Sequence, residues 1–161
     1  MSDSPKIISG FKFIRAGIFR FSESPYHFKN WTSKLSIEFD DERYEKADET
    51  VYFLMSDEKI LYVGEFTYNL KNRWLSKNHV NHHMYDEIES FLTEGKSISL
   101  WLAISPFCQI PEYGELNLSK ALEHQIMKDH KPIWNSRNIQ SGAKEWREKN
   151  CIRLDSFLKE P

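Results

Sequence analysis

The pattern of apolar and polar positions changes period along the chain. Val51-Tyr52-Phe53-Leu54-Met55 and Ile60-Leu61-Tyr62-Val63 are short apolar runs rich in β-formers. Ser56-Asp57-Glu58-Lys59 between them is turn chemistry, so the pair predicts a β-hairpin stopped by Gly64. After Gly64 the period lengthens. Asn69 is placed to cap a helix through Leu70, Arg73 and Trp74 towards Lys77. Tyr85, Ile88, Phe91 and Leu92 share one helical face, with Gly95 at its end. From Ser97 to Ile104 the chain alternates and then runs apolar, which suits a central strand closed by Pro106. Leu118, Ala121, Leu122, Ile126 and Met127 repeat at helical spacing, and Pro132 forbids that helix from continuing.

The predicted order is strand, strand, helix, helix, strand, helix. That implies an α/β (α+β) domain with a small three-stranded antiparallel sheet flanked by helices. The N-terminal third is less regular. Phe11-Lys12-Phe13-Ile14-Arg15 and Leu35-Ser36-Ile37-Glu38-Phe39 alternate like strands, and the acidic segment 40–49 reads as a loop or short exposed helix. The expected division is an N-terminal extension (1–49) packing on the core, a core (50–136) and a C-terminal extension (137–161), as one domain.

A length of 161 residues suits a single core. The formal charge of −2 excludes a uniformly basic polyanion binder, so any positive charge that serves function must be local. Charge is unevenly spread. Residues 1–37 are mostly basic, 38–58 mostly acidic, and 66–84 hold Lys71, Arg73, Lys77, His79, His82 and His83 with no acid. Cys108 and Cys151 are isolated, which fits a reduced compartment. The polar N-terminus and the absence of a long apolar run predict a cytoplasmic or nucleoid-associated protein, not secreted and with no membrane partner. His79, His82 and His83 lack partner cysteines or a second ligand pair, so they do not read as a zinc site.

The ordered set Tyr52, Tyr62-Val63-Gly64, Arg73, Glu123 and Pro132 with Asn135 resembles the GIY-YIG nuclease family, over about residues 50–136. The second tripeptide of that family is matched by Tyr62-Val63-Gly64. The first, Thr50-Val51-Tyr52, keeps the tyrosine but lacks the glycine. The gap from Gly64 to Arg73 is about one residue longer than the family's usual spacing, and the flanks match nothing in the family.

The resemblance implies metal-dependent hydrolysis of DNA, leaving a 5′-phosphate and a 3′-hydroxyl. Glu123 would be the metal ligand for one Mg²⁺ (or Mn²⁺) ion per site. A hard cation accepts one or two carboxylates and completes its shell with water and phosphate oxygens. A single carboxylate in the matched set favours a single-metal mechanism. Arg73 would neutralise a phosphate oxygen with its planar fork. Tyr52 is the expected water-activating phenol, Tyr62 orients the nucleophile, and His79 takes the proton onward. Gly64, Lys59, Lys77 and Asn135 fall on the substrate side, with Asn135 holding a loop or the glutamate. The degraded first tripeptide and the near-neutral charge leave a second reading open: a catalytically silent nucleic-acid-binding module of the same fold. Whether the protein acts as a monomer that nicks or a homodimer that cuts both strands is not written in the residues.

Overall fold

The computed structural model describes residues 3–138 and 148–151, so most of the expected C-terminal extension lies outside the described residues. In chain order the strands and helices are β1 (Lys6–Ile8), β2 (Phe11–His27), β3 (Thr32–Phe39), β4 (Thr50–Ser56), β5 (Lys59–Phe66), α1 (Leu70–Trp74), β6 (Leu75–Ser76), β7 (His79–Val80), α2 (Tyr85–Thr93), β8 (Ser99–Ala103), β9 (Phe107–Ile110), β10 (Gly114–Asn117) and α3 (Ser119–His130). Short 3-10 helices lie at Glu42–Lys46 and Ile133–Asn138.

The predicted hairpin forms. β4 pairs antiparallel with β5, and Asp57 and Glu58 take up positive φ of 48° and 60° in the two-residue turn. β8 then pairs antiparallel with β4, which makes the expected trio β8-β4-β5. The sheet does not stop there. It has six strands in the order β1-β2-β8-β4-β5, with β3 also on β2. Phe13 of β2 pairs with both β1 and β8, and Gly17 and Ile18 pair with both β3 and β8. β1 and β3 therefore share one edge of the long strand β2, and β8 takes the other.

This corrects the expectation of a three-stranded sheet with residues 1–49 packed on it as an extension. Residues 6–39 are strands of the sheet itself. The physical reason lies in β8, whose Leu100, Trp101 and Leu102 are buried. An apolar strand with an open edge leaves its amide groups unpaired, and β2 fills that edge. The same pairing neutralises the charge blocks. Arg15 pairs with Asp40 at 2.7 Å and with Asp3 at 3.0 Å, Arg20 with Glu38 at 3.2 Å, and Lys6 with Glu58 at 2.7 Å.

All seven residues of β4 are buried because both faces of the sheet are covered. On one face Phe13, Phe53, Val63 and Trp101 pack under Leu122 and Ile126 of α3. On the other, Tyr52, Tyr62, Leu54 and Phe66 pack under Leu70 and Trp74 of α1, Val80 of β7 and Ile88 of α2. Two local departures shape this second face. Helix α1 ends at Trp74 rather than near Lys77, because the chain turns into the β6–β7 hairpin with Lys77 and Asn78 at φ of 51° and 61°. A second hairpin, β9–β10, precedes α3 where the sequence pattern predicts only a connection. Asn69 caps α1 as expected, accepting from Asn72 N at 2.9 Å. Helix α3 stops at His130, with Lys131 in the left-handed conformation before Pro132.

Candidate active site

The strand register puts the two tyrosines together. Tyr52 stands opposite Gly64, and Tyr62 opposite Leu54. Two residues along the strand from Gly64, Tyr62 is thus the diagonal neighbour of Tyr52 on the same face. Their rings lie 6.1 Å apart. Gly64 explains how this is possible. A Cβ built there would come within 2.5 Å of the Tyr52 hydroxyl and 2.6 Å of its Cζ. The Tyr52 side chain lies across the bare backbone of Gly64. Expected as a substrate contact, Gly64 is instead buried beneath Tyr52 and makes room for it.

Helix α1 carries Arg73 over this face. Its Nε donates to the Tyr52 hydroxyl at 3.2 Å, and its guanidinium also acts on Tyr62. Among the described residues no carboxylate pairs with Arg73.

Two histidines complete the cluster. The Met84 N–H donates to His82 Nδ1 at 3.1 Å. Burial, then the Arg73 and His83 charges, hold the His82 imidazole neutral and push its pKa down to about 2. The ring proton of that neutral form must sit on Nε2, which donates to the Tyr52 hydroxyl at 3.2 Å. His82 is itself stacked on Trp74 at 3.9 Å. Tyr52 thus accepts two hydrogen bonds and has its own proton to give. Burial, reinforced by Tyr62, raises its pKa despite the opposing pull of Arg73, so it rests as a neutral phenol. His83 is exposed and its Nε2 lies 3.2 Å from the Tyr62 hydroxyl.

Glu123 approaches from the opposite layer. Leu122 and Ile126 of α3 enter the Phe53 face, and Glu123, one residue round the helix, lies towards the edge strand β5. Its carboxylate is 3.1 Å from Lys120 Nζ, and Lys120 is also 3.6 Å from Glu65 of β5. Glu123 is near enough to Tyr62 to raise its pKa, an influence that follows the larger ones of burial and Arg73.

The structure places the other expected residues elsewhere. His79 turns away from the cluster. Its Nδ1 faces Lys77 O at 2.8 Å and its Nε2 faces Ser24 O at 2.7 Å, so both nitrogens are held by backbone carbonyls. His83, not His79, is the histidine in contact with Tyr62. Tyr52 has no exposed surface and Tyr62 retains 7 %, so the phenol nearer the surface is Tyr62, not Tyr52. Lys59 sits at the turn end of β5, three residues or about 10 Å along the strand from Tyr62. Lys77 is exposed at the tip of the β6–β7 turn. Asn135 is buried and clasps β5. Its Oδ1 accepts from Val63 N at 2.8 Å and its Nδ2 donates to Val63 O at 3.0 Å. It fixes the backbone next to Tyr62 and offers nothing to a substrate.

Sequence reasoning missed His82, His83 and Lys120 as members of the site. The acid-free stretch 66–84 was the available signal, since four of its side chains (Arg73, Trp74, His82 and His83) join the tyrosines here.

The described residues hold no group of three or more His, Cys, Asp and Glu side chains suited to a metal. A Mg²⁺ ion does not need one. It is commonly bound by one or two carboxylates with water and phosphate oxygens, and the single carboxylate of Glu123, paired with Lys120, is of the type that fits that habit. Lys120, which now pairs with Glu123, has a side chain 81 % exposed and free to swing aside. No helix among the described residues is long and apolar enough to cross a membrane. Comparison with known proteins finds no matching family model, no matching curated protein and no matching solved structure.

Proposed function

We propose that the protein is a Mg²⁺-dependent DNA endonuclease of GIY-YIG type, acting in the cytoplasm or at the nucleoid. The observation that carries the reading is the convergence of Tyr52, Tyr62 and Arg73 on one hydrogen-bonded cluster that also feels Glu123. These come from two strands and two helices spread over 72 residues of sequence. Tyr62 and His83, nearer the surface, would orient the attacking water and receive its proton. Tyr52 would act from behind as a positioning residue, holding Arg73 with a hydroxyl that His82 fixes in turn. Arg73 would bind a non-bridging phosphate oxygen and neutralise charge as it develops. Glu123 would hold the metal, which when bound supplies Lewis-acid stabilisation of the phosphate. A monomer would nick, and a two-fold dimer would cut both strands.

The test is incubation with supercoiled plasmid and Mg²⁺ or Mn²⁺. The native chain converts it to nicked or linear product, and Glu123→Gln is slower by about a hundredfold or more. Equal conversion by both proteins sinks the reading. The second reading, a silent nucleic-acid-binding module, is favoured by the deep burial of Tyr52. Salt-dependent DNA binding without cleavage under either metal would establish it.

A further inference from the structure

Gly64 and Glu65 are neighbours on β5 and so point to opposite faces of the sheet. Gly64 lies under Tyr52, whereas Glu65, opposite Val51 of β4, points to the face roofed by α3. There it meets the first turns of that helix. Lys120 Nζ lies 3.6 Å from Glu65 Oε1 and 3.1 Å from Glu123 Oε2. Lys120 and Glu123 are three residues apart on α3, so their side chains share one side of the helix. Two carboxylates, one from a strand and one from a helix, thus face a single ammonium group.

The three side chains are unequally exposed. Lys120 keeps 81 % of its side chain in solvent, Glu65 27 % and Glu123 15 %. The two acids lie against the protein, and the lysine reaches in from outside. Its withdrawal opens no void, because its stem packs on little. The charges are also uneven. Among the described residues no other lysine or arginine pairs with Glu65 or Glu123, so two negative charges share one positive charge.

The place is next to the tyrosine cluster. β5 is the edge strand of the sheet, and the Glu123 charge acts on Tyr62 of that strand. Tyr62 and Glu65 are three residues apart, and Asn135 holds both the N–H and the C=O of Val63 between them. The backbone that carries the phenol and the second acid is therefore fixed.

We propose that the position held by Lys120 Nζ is the cation position of the candidate site, and that Glu65 is its second carboxylate beside Glu123. Lys120 is then a tethered counter-ion that gives way to a divalent cation. Such a cation matches the two negative charges that one ammonium leaves half compensated, and a pair of carboxylates is within the habit of Mg²⁺. That Glu123 binds a metal at all rests on the nuclease reading. The role of Glu65 rests on its position across Lys120, since the residues matched to the nuclease motif include one acid only.

The test titrates Mn²⁺ into the full chain without DNA and follows free Mn²⁺ by electron paramagnetic resonance. The native chain takes up one Mn²⁺ saturably. Glu65→Gln weakens that uptake by at least about tenfold, as Glu123→Gln does. Lys120→Met tightens it by about twofold to fivefold, since an exposed ion pair no longer has to be broken. Thermal unfolding confirms that each variant is folded. Should Glu65→Gln fail to fold, Glu65→Asp keeps the charge on a shorter arm and must also weaken uptake. No saturable uptake by the native chain, an affinity of Glu65→Gln within about twofold of native, or weaker uptake by Lys120→Met overturns the proposal. Uptake that depends on Glu65, with no cleavage of plasmid by the native chain, sinks the nuclease reading and leaves the cation position standing. Cleavage that Glu123→Gln abolishes, with Mn²⁺ affinity untouched by Glu65→Gln, does the reverse.

Discussion

Neighbouring residues of β4 and β5 serve opposite faces of one sheet, and the two faces are built on different rules. Phe53 and Val63 face a layer closed by Phe13, Trp101, Leu122 and Ile126, where nearly every contact is apolar. Tyr52 and Tyr62, each one residue away, face a layer that also buries an imidazole and half-buries a guanidinium. The first layer has little to satisfy except volume, the Trp101 indole N–H being met by Ser99 Oγ at 2.8 Å. The second must give each buried polar group a partner, because an unpaired one costs about 1–3 kcal/mol. It does so for His82 and Tyr52 in a chain from Met84 N–H to His82, and from His82 and Arg73 to Tyr52, while Trp74 Nε1 in the same layer has no partner among the described residues. Strand alternation is what allows both on the same backbone, since side-chain direction reverses at every residue. One face is packed almost entirely by apolar side chains while the other holds a buried polar network.

The sharpest way to break this contrast is to remove single groups from each face. Tyr62→Phe lowers Mg²⁺-dependent cleavage by about 10²–10⁴-fold, while unfolding in urea shifts by no more than about 1.5 kcal/mol. Comparable activity in this variant would remove Tyr62 from the chemistry. Phe53→Ala, on the other face, costs about 3–5 kcal/mol of stability, yet the folded fraction cleaves at the native rate. A loss of rate there beyond the loss of folded protein would show that the faces are not separable.

Gly64→Ala tests the contact between the layers of the site. The new methyl must displace the fully buried Tyr52 ring, so destabilisation of about 1–3 kcal/mol is expected, together with loss of activity. A variant as stable and active as the native chain would mean that Tyr52 does not depend on that bare backbone. The smallest effect is one of pH. His82 is held neutral with its pKa near 2, against about 6.5 in the unfolded chain. Its contribution to stability is fully present above pH 6.5 and is lost as pH falls below that value towards 2. The loss is roughly 1.4 kcal/mol per pH unit. Urea unfolding at pH 7, 6 and 5 should show His82→Gln losing less stability than the native chain by that slope. Parallel slopes would place His82 outside the buried network.

Much of this was legible along the chain. The β4–β5 hairpin follows from two apolar runs around Ser56-Asp57-Glu58-Lys59, and α3 from the spacing of Leu118 to Met127 up to Pro132. Those are short-range signals of period, turn chemistry and capping, and they need no knowledge of partners. Tyr52, Tyr62, Arg73 and Glu123 stand out differently, as an ordered set that resembles the motif of a known nuclease family.

What the chain did not reveal depends on which elements meet. Residues 6–39 alternate like strands, but whether strands join a sheet or lie against it is decided by which edge is open. His79 and His83 are equivalent as residue types, and only the seating of β7 on β2 and β3 turns one to the carbonyl of Ser24 and the other to Tyr62. The ranking of the two phenols is likewise a matter of burial, set by α1 and the β6–β7 hairpin closing over Tyr52. Local sequence determines the direction of a side chain relative to its own backbone. Depth, hydrogen-bond partners and protonation belong to the surroundings, and those are supplied by segments distant in the chain.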